Sequence, residues 1–383
     1  MILSYDDLSS VGGSMSLIRR EIEYFDARGR IAVFCEAPME AVVKFPDTIF
    51  FVHPKLPLRS LGLIFSELLV LLKLIRHSKT RRVRVYHAHD VYVGFPAAVA
   101  ARLFGIRLVL TVHGPASYEF ANFYRKRLNQ FKFSDMFYLT LLSVLEKFAY
   151  MKANAVVAVS DFEKRFIQKV RGRNLFVVRN GVDLNMFRPA LDKQETRQLI
   201  GLPTDKKIIT FVGRIVPKNG VLIIARAIPI VTEARKDTIF VFVGDGFAAR
   251  ECKDIVKRAG VASNVIFVGT SSCPQLYYQA SDLFVSHVSS LVEGVGLTVY
   301  EAMSCGLPVI VGSDRLSYRL LSGVACFVEK DNPSVLAREI VRVLSTVDSE
   351  KEKIRIRRFA EEFLDLRQTF ETYDRLLFEG IKD

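Results

Sequence analysis

The chain has 383 residues, half of them apolar, which is enough for two domains with separate cores and excludes a single small binding module. Apolar runs of about 18 residues, long enough to cross a membrane, are missing, and the N-terminus lacks the basic, apolar and small-residue order of a secretion signal. The five cysteines show no paired short spacing, which argues against zinc and redox sites. We therefore expect a cytoplasmic protein.

The net charge of +13 is unevenly divided along the chain. Residues 1–187 carry 27 Lys and Arg against 16 Asp and Glu, a balance of +11, whereas residues 188–383 carry 27 against 25, a balance of +2. An anionic partner of the first half, either a membrane surface or a nucleic acid, would explain the asymmetry. The alternative is a heat-adapted surface rich in Lys and Arg.

Short runs rich in Val, Ile and Phe alternate with longer helical patterns, which predicts parallel strands joined by crossover helices. In the first half, strands are predicted near residues 2–4, 31–35, 48–52, 83–87, 108–112, 155–159 and 176–178. The same alternation of strand and helix patterns begins again in the second half. Its strands are predicted near residues 208–212, 239–243, 265–268, 283–286, 309–311 and 326–328. Between the first strands, residues 61–75 predict a largely buried helix.

Two Rossmann-like domains of the α/β class follow from this repetition, and they are expected to face each other across a cleft. The polar stretch 188–204, which contains Pro189 and Pro203, is predicted to connect the two domains. The domains are therefore predicted at 1–187 and 188–365. Residues 366–383 are expected to form a helix that packs back on the first domain.

The segment from Glu293 to Glu301 is the strongest local signal for a binding site. Gly294 and Gly296 follow a strand and would let the backbone approach a ligand closely, while a helix opening at Leu297 would point free N–H groups at a diphosphate. Glu301, one turn into that helix, could accept hydrogen bonds from a vicinal diol such as ribose. Taken singly, each Glu is better explained by an acidic loop or by the helix dipole.

Together these residues resemble the Glu-(seven residues)-Glu signature of retaining GT-B glycosyltransferases, family 4. In that family the first Glu contacts the donor sugar and the second contacts the ribose. The resemblance extends to Asn180, at the crossover into the second domain, to Gly213 before Arg214 in a diphosphate-binding turn, and to Asp245 between two glycines. It implies a nucleotide-sugar donor site in the second domain and an acceptor site in the first.

The sequence contains no Asp-x-Asp triplet, so the resemblance implies that cations replace a metal at the leaving diphosphate. Arg214 would stabilise the charge that develops there. The family's second cation precedes a glycine, and that position is Asn219 in this chain. Lys218 is one residue away and would supply the charge instead. No metal and no cofactor are expected.

In the first half, Gly12 and Gly13 follow the first strand and match the glycine pair that the family brings over the donor and acceptor. A lone glycine pair is otherwise only a turn. His113, at the end of a strand, matches the family's histidine beside the donor sugar. Asp90 is expected on the acceptor side. His87 and His89 share one side of a strand, but with no third ligand indicated we predict no metal there.

Aromatic and cationic residues interleave after His113. Tyr118 is expected on the acceptor side, and Arg125, Lys126 and Arg127 would contact an anionic membrane. Stacking on single-stranded nucleic acid and a solvated loop over a buried aromatic face are the alternatives. Because lipid-linked acceptors are frequent in the family, a membrane is favoured and no nucleic acid is expected.

The sequence therefore predicts an enzyme that transfers a hexosyl group from a UDP- or GDP-sugar to a hydroxyl of a glycan, lipid-linked or small-molecule acceptor, with retention. His113, Arg214, Lys218 and Glu293 would carry catalysis. Localisation would be cytoplasmic, with peripheral contact at the membrane. The alternatives are an inverting or epimerase-like GT-B enzyme and a non-catalytic basic protein on the same scaffold.

Overall fold

The structure is a computed structural model, and it describes residues 2–7, 13–26, 33–36, 49–50, 59–80, 83–125, 133–286, 288–289, 295–346 and 350–379. The chain forms two compact units. The first comprises Met1–Arg179 together with Thr369–Asp383, and the second comprises Asn180–Gln368.

The described residues of the first unit up to Val177 form seven strands and six helices that alternate along most of this part of the chain. They are β1 (Ile2–Asp7), α1 (Gly13–Asp26), β2 (Val33–Glu36), β3 (Ile49–Phe50), α2 (Arg59–Thr80), β4 (Val85–His89), α3 (Val91–Phe104), β5 (Arg107–Val112), α4 (Ala116–Arg125), α5 (Phe133–Lys152), β6 (Ala155–Ala158), α6 (Asp161–Ile167) and β7 (Leu175–Val177).

The second unit repeats the alternation. Its described elements are α7 (Lys193–Leu199), β8 (Lys207–Val212), α8 (Val221–Ala234), β9 (Thr238–Val243), α9 (Ala249–Arg258), β10 (Val265–Gly269), α10 (Pro274–Ala280), β11 (Leu283–Ser286), α11 (Leu297–Ser304), β12 (Val309–Gly312), α12 (Arg315–Leu321), β13 (Cys326–Val328), α13 (Pro333–Thr346) and α14 (Glu350–Phe363). Helix α15 (Leu366–Asp374) and a π-helical turn (Arg375–Glu379) follow.

Both sheets are parallel and doubly wound. The strand order is β3-β2-β1-β4-β5-β6-β7 in the first unit and β10-β9-β8-β11-β12-β13 in the second. Central strands such as β4, β9 and β11 are buried along their whole length, as expected for strands covered by helices on both faces. The order reverses beside β1 and β4 in one sheet and beside β8 and β11 in the other, and such reversals are where α/β sheets bind ligands.

All thirteen predicted strands are present, with ends that move by a few residues, and the α/β class is confirmed. The prediction for residues 61–75 is wrong in one respect. Helix α2 is apolar, but Ile64, Phe65, Leu68 and Leu72 are each about half exposed, because only one side of the helix packs against the neighbouring helices α3 and α5. Among the described residues, no helix has the length and apolar character needed to cross a membrane.

The boundary between the units lies earlier than the predicted 187/188. Val182 forms a parallel bridge with Asp365, and both Val182 and Phe187 are buried in the core of the second unit. Arg197, inside the predicted connection, is buried with its guanidinium 2.6 Å from Asp282 Oδ2. The stretch 188–204 is therefore part of the second unit, and the units divide at 179/180 and 368/369.

Gly244 tests how closely the turn after β9 packs against the turn after β8 in the second sheet. Its φ is +128°, and an added Cβ would lie 2.1 Å from the carbonyl oxygen of Gly213. Gly260 also has a positive φ, +73°, but nothing lies within 4 Å of the position that an added Cβ would take there. We expect Gly244→Ala to lower the free energy of unfolding by about 3 kcal/mol or more through strain and overlap, and Gly260→Ala by about 1 kcal/mol through strain alone.

Urea unfolding followed by circular dichroism would compare the two variants. Equal losses of stability would show that the turn after β9 can move away from the turn after β8.

Candidate functional site

The turns that follow β8 and β9 are bound to each other through their backbones. Gly213 N–H donates to Val243 O at 2.9 Å, and Ile215 N–H donates to Asp245 O at 2.8 Å. Asp245 Oδ1 accepts from Gly246 N–H at 2.7 Å, which fixes the side chain within its own turn. The two predicted donor-binding turns are thus one rigid structure at the carboxyl edge of the second sheet.

Arg214 and Lys218 extend from this structure into solvent. Both side chains are exposed, and neither has a hydrogen bond or ion pair with the described residues. Asn219, which occupies the position of the family's second cation, donates its side-chain N–H to Arg214 O at 2.8 Å. Asn219 therefore closes the turn that presents Arg214, and Lys218 remains as a second free cation.

The loop after β8 meets the loop after β11 at the point where the strand order reverses. Gly220 has a φ of +83°, and an added Cβ would approach a methyl group of Val288 to 2.6 Å and its backbone nitrogen to 3.0 Å. Helix α11 then begins at Leu297, with Gly296 as its N-cap. The first N–H groups of such a helix have no partner within it and suit an anion.

Glu301 lies one turn into α11, and a buried tyrosine holds it. Tyr278 Oη donates to Glu301 Oε2 at 2.8 Å, and the Tyr278 ring packs between Phe187 and Phe284. Burial raises the pKa of Glu301 to about 7, although the hydrogen bond from Tyr278 lowers it in part. The carboxyl therefore changes its charge near neutral pH and keeps Oε1 for another donor.

This pKa predicts a pH dependence of stability that Glu301→Gln should remove. The folded protein holds the Glu301 proton more tightly than the unfolded chain, whose pKa is near 4.5. The resulting stabilisation is fully present below about pH 4.5 and is lost as the pH rises through about 7. Between pH 5 and pH 8, the wild type should lose on the order of 2 kcal/mol more than Glu301→Gln.

Circular dichroism suits the measurement because the chain has no Trp. Parallel pH profiles of the two proteins would contradict the raised pKa.

In the first unit, Asp90 and His113 come from neighbouring strands and are bound together. Asp90 follows β4 with a φ of +68°, and its Oδ1 accepts from the backbone N–H of His113 at 2.9 Å. His113 follows β5 and is half-buried. Asp90, expected on the acceptor side, therefore also sets the backbone position of His113.

A cluster of buried imidazoles surrounds Glu21 of α1, a residue that sequence reasoning missed. His87 Nδ1 lies 2.5 Å from Glu21 Oε1, and His89 Nε2 lies 3.2 Å from Glu21 Oε2. The expectation that no third ligand accompanies His87 and His89 is wrong, because Glu21 supplies one. Glu21 Oε1 and His87 Nδ1 are hydrogen-bonded to each other, and His87 Nε2 has a second partner in the Thr111 hydroxyl.

Of the remaining predicted site residues, two lie inside the described structure, two stand at the ends of helices, and five lie outside the described residues. Tyr118 is half-buried and packs against Phe162 and Phe166, and Asn180 Oδ1 is buried without a partner among the described residues. Gly13 begins α1 and Arg125 ends α4. Outside the described residues lie Gly12, Lys126, Arg127, Glu293 and Gly294.

Glu21 and Tyr278 show what sequence reasoning could not find. Each lies in a helix tens of residues away from its partners, and neither belongs to a local motif. The only available signal was a charged or hydroxylated residue on an otherwise apolar helical face.

Two doubly wound sheets with loops arranged at their strand reversals define a two-domain α/β enzyme of the kind that binds nucleotides. Residues 11–186 match the family model described as Glycosyltransferase Family 4, and residues 192–358 match the model described as Glycosyl transferases group 1. The chain belongs to this family of GT-B glycosyltransferases, and the predicted family and enzyme class are confirmed.

Its relatives act on different substrates. The chain is 29% identical over 71% of its length to a UDP-Gal:alpha-D-GlcNAc-diphosphoundecaprenol alpha-1,3-galactosyltransferase of Escherichia coli, 67% of which is covered. It is 30% identical over 46% of its length to half of the lipopolysaccharide core mannosyltransferase LpsB of Rhizobium meliloti. Anabaena HepE, solved in complex with UDP, shares the fold with a TM-score of 0.77, 20% identity and 98% coverage of each chain.

Proposed function

We propose that this glycosyltransferase moves a hexosyl group from a UDP- or GDP-sugar to a hydroxyl of a lipid-linked acceptor, with retention of configuration and without a metal. One observation carries the proposal. The carboxyl edge of the second sheet combines two free cations, the N-terminus of α11 and a carboxyl held by Tyr278, all on loops or helices that follow β8 and β11. The named activity of the Escherichia coli relative supports a lipid-linked acceptor and a UDP-sugar.

The diphosphate would bind to the turn that follows β8 and to the first turn of α11. Arg214 offers planar N–H donors suited to two phosphate oxygens, and Lys218 adds a second positive charge. The backbone at Gly213, Gly296 and Leu297 permits close approach, and the helix dipole favours the negative group. Both cations would stabilise charge on the departing diphosphate, which is the stabilisation that a metal otherwise supplies.

The ribose and the sugar would lie on either side of this diphosphate. Oε1 of Glu301 is available to the ribose diol, while Asn180 and Asp245 belong to the same unit and would complete the donor site. Glu293 and Gly294, which precede α11 in the sequence, would contact the sugar. In the first unit, His113 would bind a sugar hydroxyl, and Gly12 and Gly13 would cover the phosphates.

Transfer with retention would follow from the geometry of the leaving group. An oxygen of the departing diphosphate would take the proton of the acceptor hydroxyl while that hydroxyl attacks the same face of the anomeric carbon. The sugar–phosphate bond breaks, the new glycosidic bond forms, and the nucleoside diphosphate leaves with the proton. Asp90 and Tyr118 would line the acceptor side.

A direct experiment supplies UDP-, GDP- and ADP-hexoses with a polyprenyl-diphosphate-linked sugar and follows the anomeric proton of the product by NMR. Thermal shift with the same nucleotides identifies the base, because only a bound ligand stabilises the fold. A product with retained configuration supports the proposal. An inverted product, epimerised donor, or stabilisation by none of these nucleotides would contradict it.

Arg214→Gln should lower kcat about a hundredfold, because it removes a cation from the developing negative charge. The matched control is Arg338→Gln, an exposed arginine on α13 in the same unit, and it should keep wild-type activity. Assays of both variants in EDTA should match those without it. Full activity of Arg214→Gln, or strong inhibition of the wild type by EDTA, would overturn the metal-free mechanism.

We also propose that the first unit rests on an anionic membrane surface, where a lipid-linked acceptor would be reached. The balance of +11 in residues 1–187 and the basic residues Arg125, Lys126 and Arg127 support this. The exposed apolar side chains of α2 are joined by others on the adjacent helix α5, namely Met136, Phe137, Val144 and Met151. Cations beside exposed apolar side chains suit an anionic interface.

The double variant Leu68→Ser/Leu72→Ser should bind anionic vesicles about tenfold more weakly, since each leucine would lose apolar burial in the interface. A second variant, in which Arg125, Lys126 and Arg127 are replaced by neutral residues, should also bind these vesicles more weakly, by about 1 kcal/mol for each charge near the surface. Leu191→Ser is the control, because Leu191 is 99% exposed in the second unit. Vesicle sedimentation measures all three, and unchanged binding of both first-unit variants would refute the membrane contact.

A further inference from the structure

A buried carboxyl on α5, that of Glu146, is hydrogen-bonded through both of its oxygens. The residue is 3% exposed. Its Oε1 accepts from the backbone N–H of Ala116 at 2.9 Å and from the hydroxyl of Tyr150, one turn further along α5, at 2.7 Å. Its Oε2 is hydrogen-bonded to the hydroxyl of Ser117. Because Ala116 and Ser117 are the first two residues of α4, the carboxyl of Glu146 joins α5 to the start of α4.

The start of α4 has no capping side chain of its own. The first N–H groups of a helix have no partner within it, and a Ser, Thr, Asp or Asn just before the helix commonly accepts from one of them. In this chain Gly114 and Pro115 precede Ala116, and neither has a side-chain oxygen. Glu146 therefore supplies, from another helix, the acceptor that the local sequence lacks.

This anchoring contact does not depend on the charge of Glu146. A backbone N–H can only donate, and a carboxyl keeps an accepting oxygen whether or not it carries a proton. Burial, followed by the neighbouring Glu146, raises the pKa of Tyr150 well above its ordinary value. The phenol is therefore protonated at neutral pH and donates to the oxygen that also accepts from Ala116.

Helix α4 comes directly after the histidine expected at the donor sugar. His113 lies three residues before Ala116 in the sequence. Tyr118, in the first turn of α4, packs its ring against Phe166 of α6 with 4.6 Å between the ring centroids. Because Glu146 fixes the backbone at Ala116, it determines the path of the chain from His113 to Tyr118.

We propose that Glu146 is a positioning residue of the acceptor site, which holds the first turn of α4 so that Tyr118 contacts the acceptor beside His113. The inference rests on the proposed function for the presence of an acceptor there. Glu146 does not itself react, because it is buried and both of its oxygens are engaged. Loss of the anchor therefore weakens the use of the acceptor and leaves nucleotide binding, which belongs to the second unit, unchanged.

Two variants break the anchor from its two ends. Glu146→Leu/Tyr150→Phe removes the carboxyl together with the phenol hydroxyl that would otherwise be buried without a partner. Ala116→Pro removes the N–H donor instead, at the first position of a helix, where proline is tolerated. In both variants the KM for the acceptor should rise about tenfold, whereas the KM for the donor and the dissociation constant of the nucleoside diphosphate should not change. A mere loss of folded protein would lower the rate without changing either KM.

Two further variants serve as controls. Tyr150→Phe is matched to the double variant, because it removes the phenol hydroxyl and leaves Glu146 bound to Ala116. In Glu146→Gln the amide oxygen can accept from Ala116 and Tyr150, and the NH₂ group can donate to the hydroxyl of Ser117. Both controls should keep the wild-type KM for the acceptor. A Glu146→Gln protein as impaired as the double variant would overturn the proposal, because hydrogen bonding would then not explain the effect.

Hydrogen exchange followed by mass spectrometry tests the anchor without any substrate. The Ala116 N–H has no partner within α4, so its contact with Glu146 protects it. Peptides that cover the start of α4 should exchange faster in Glu146→Leu/Tyr150→Phe than in Tyr150→Phe. Equal exchange would refute the anchor, and faster exchange with an unchanged acceptor KM would refute the positioning role. A wild type that transfers to no acceptor would defeat the proposed function, whereas exchange reports on Glu146 alone, so the two failures can be told apart.

Discussion

Parallel pairing is the constraint on which the rest of the molecule depends. Because every strand in a sheet runs the same way, all strands end at one edge, and the loops that follow them are brought together there. The reversal of strand order beside β8 and β11 opens space between two such loops, and Gly220 against Val288 shows how closely they then approach. In the first sheet, the neighbouring parallel strands β4 and β5 end at the same edge and so bring Asp90 and His113 together.

Burial of a carboxyl at these edges has two different outcomes in the two units. Glu301 is accompanied by a neutral phenol, which stabilises its charge only in part, so its pKa remains raised. Glu21 faces two imidazoles, which more than offset the cost of burial, so its pKa is lowered. One carboxyl can therefore change its charge near neutral pH, while the other stays ionised there.

Much of the fold could be predicted because strands in doubly wound sheets are continuous apolar runs. Strands such as 283–286 and 326–328 were predicted to the residue for this reason. The helix at residues 59–80 was misjudged because an apolar composition does not tell which side packs, and its exposed side is as apolar as its buried one. The unit boundary was misjudged because the prolines and charges in residues 188–204 resemble those of a linker. Arg197 in this stretch is in fact buried and forms an ion pair with Asp282.

Sequence by itself determined the family, the order of the strands along the chain, and the position of site residues that lie next to a strand end, such as Arg214 and His113. These features are local, since a run of apolar residues and the turn after it are contiguous in the chain. Only the tertiary structure decided that Tyr278 holds Glu301 and that Glu21 lies against His87 and His89. Those contacts join residues far apart in sequence, and packing of the helices on the sheets, rather than any spacing, brings them within hydrogen-bond distance.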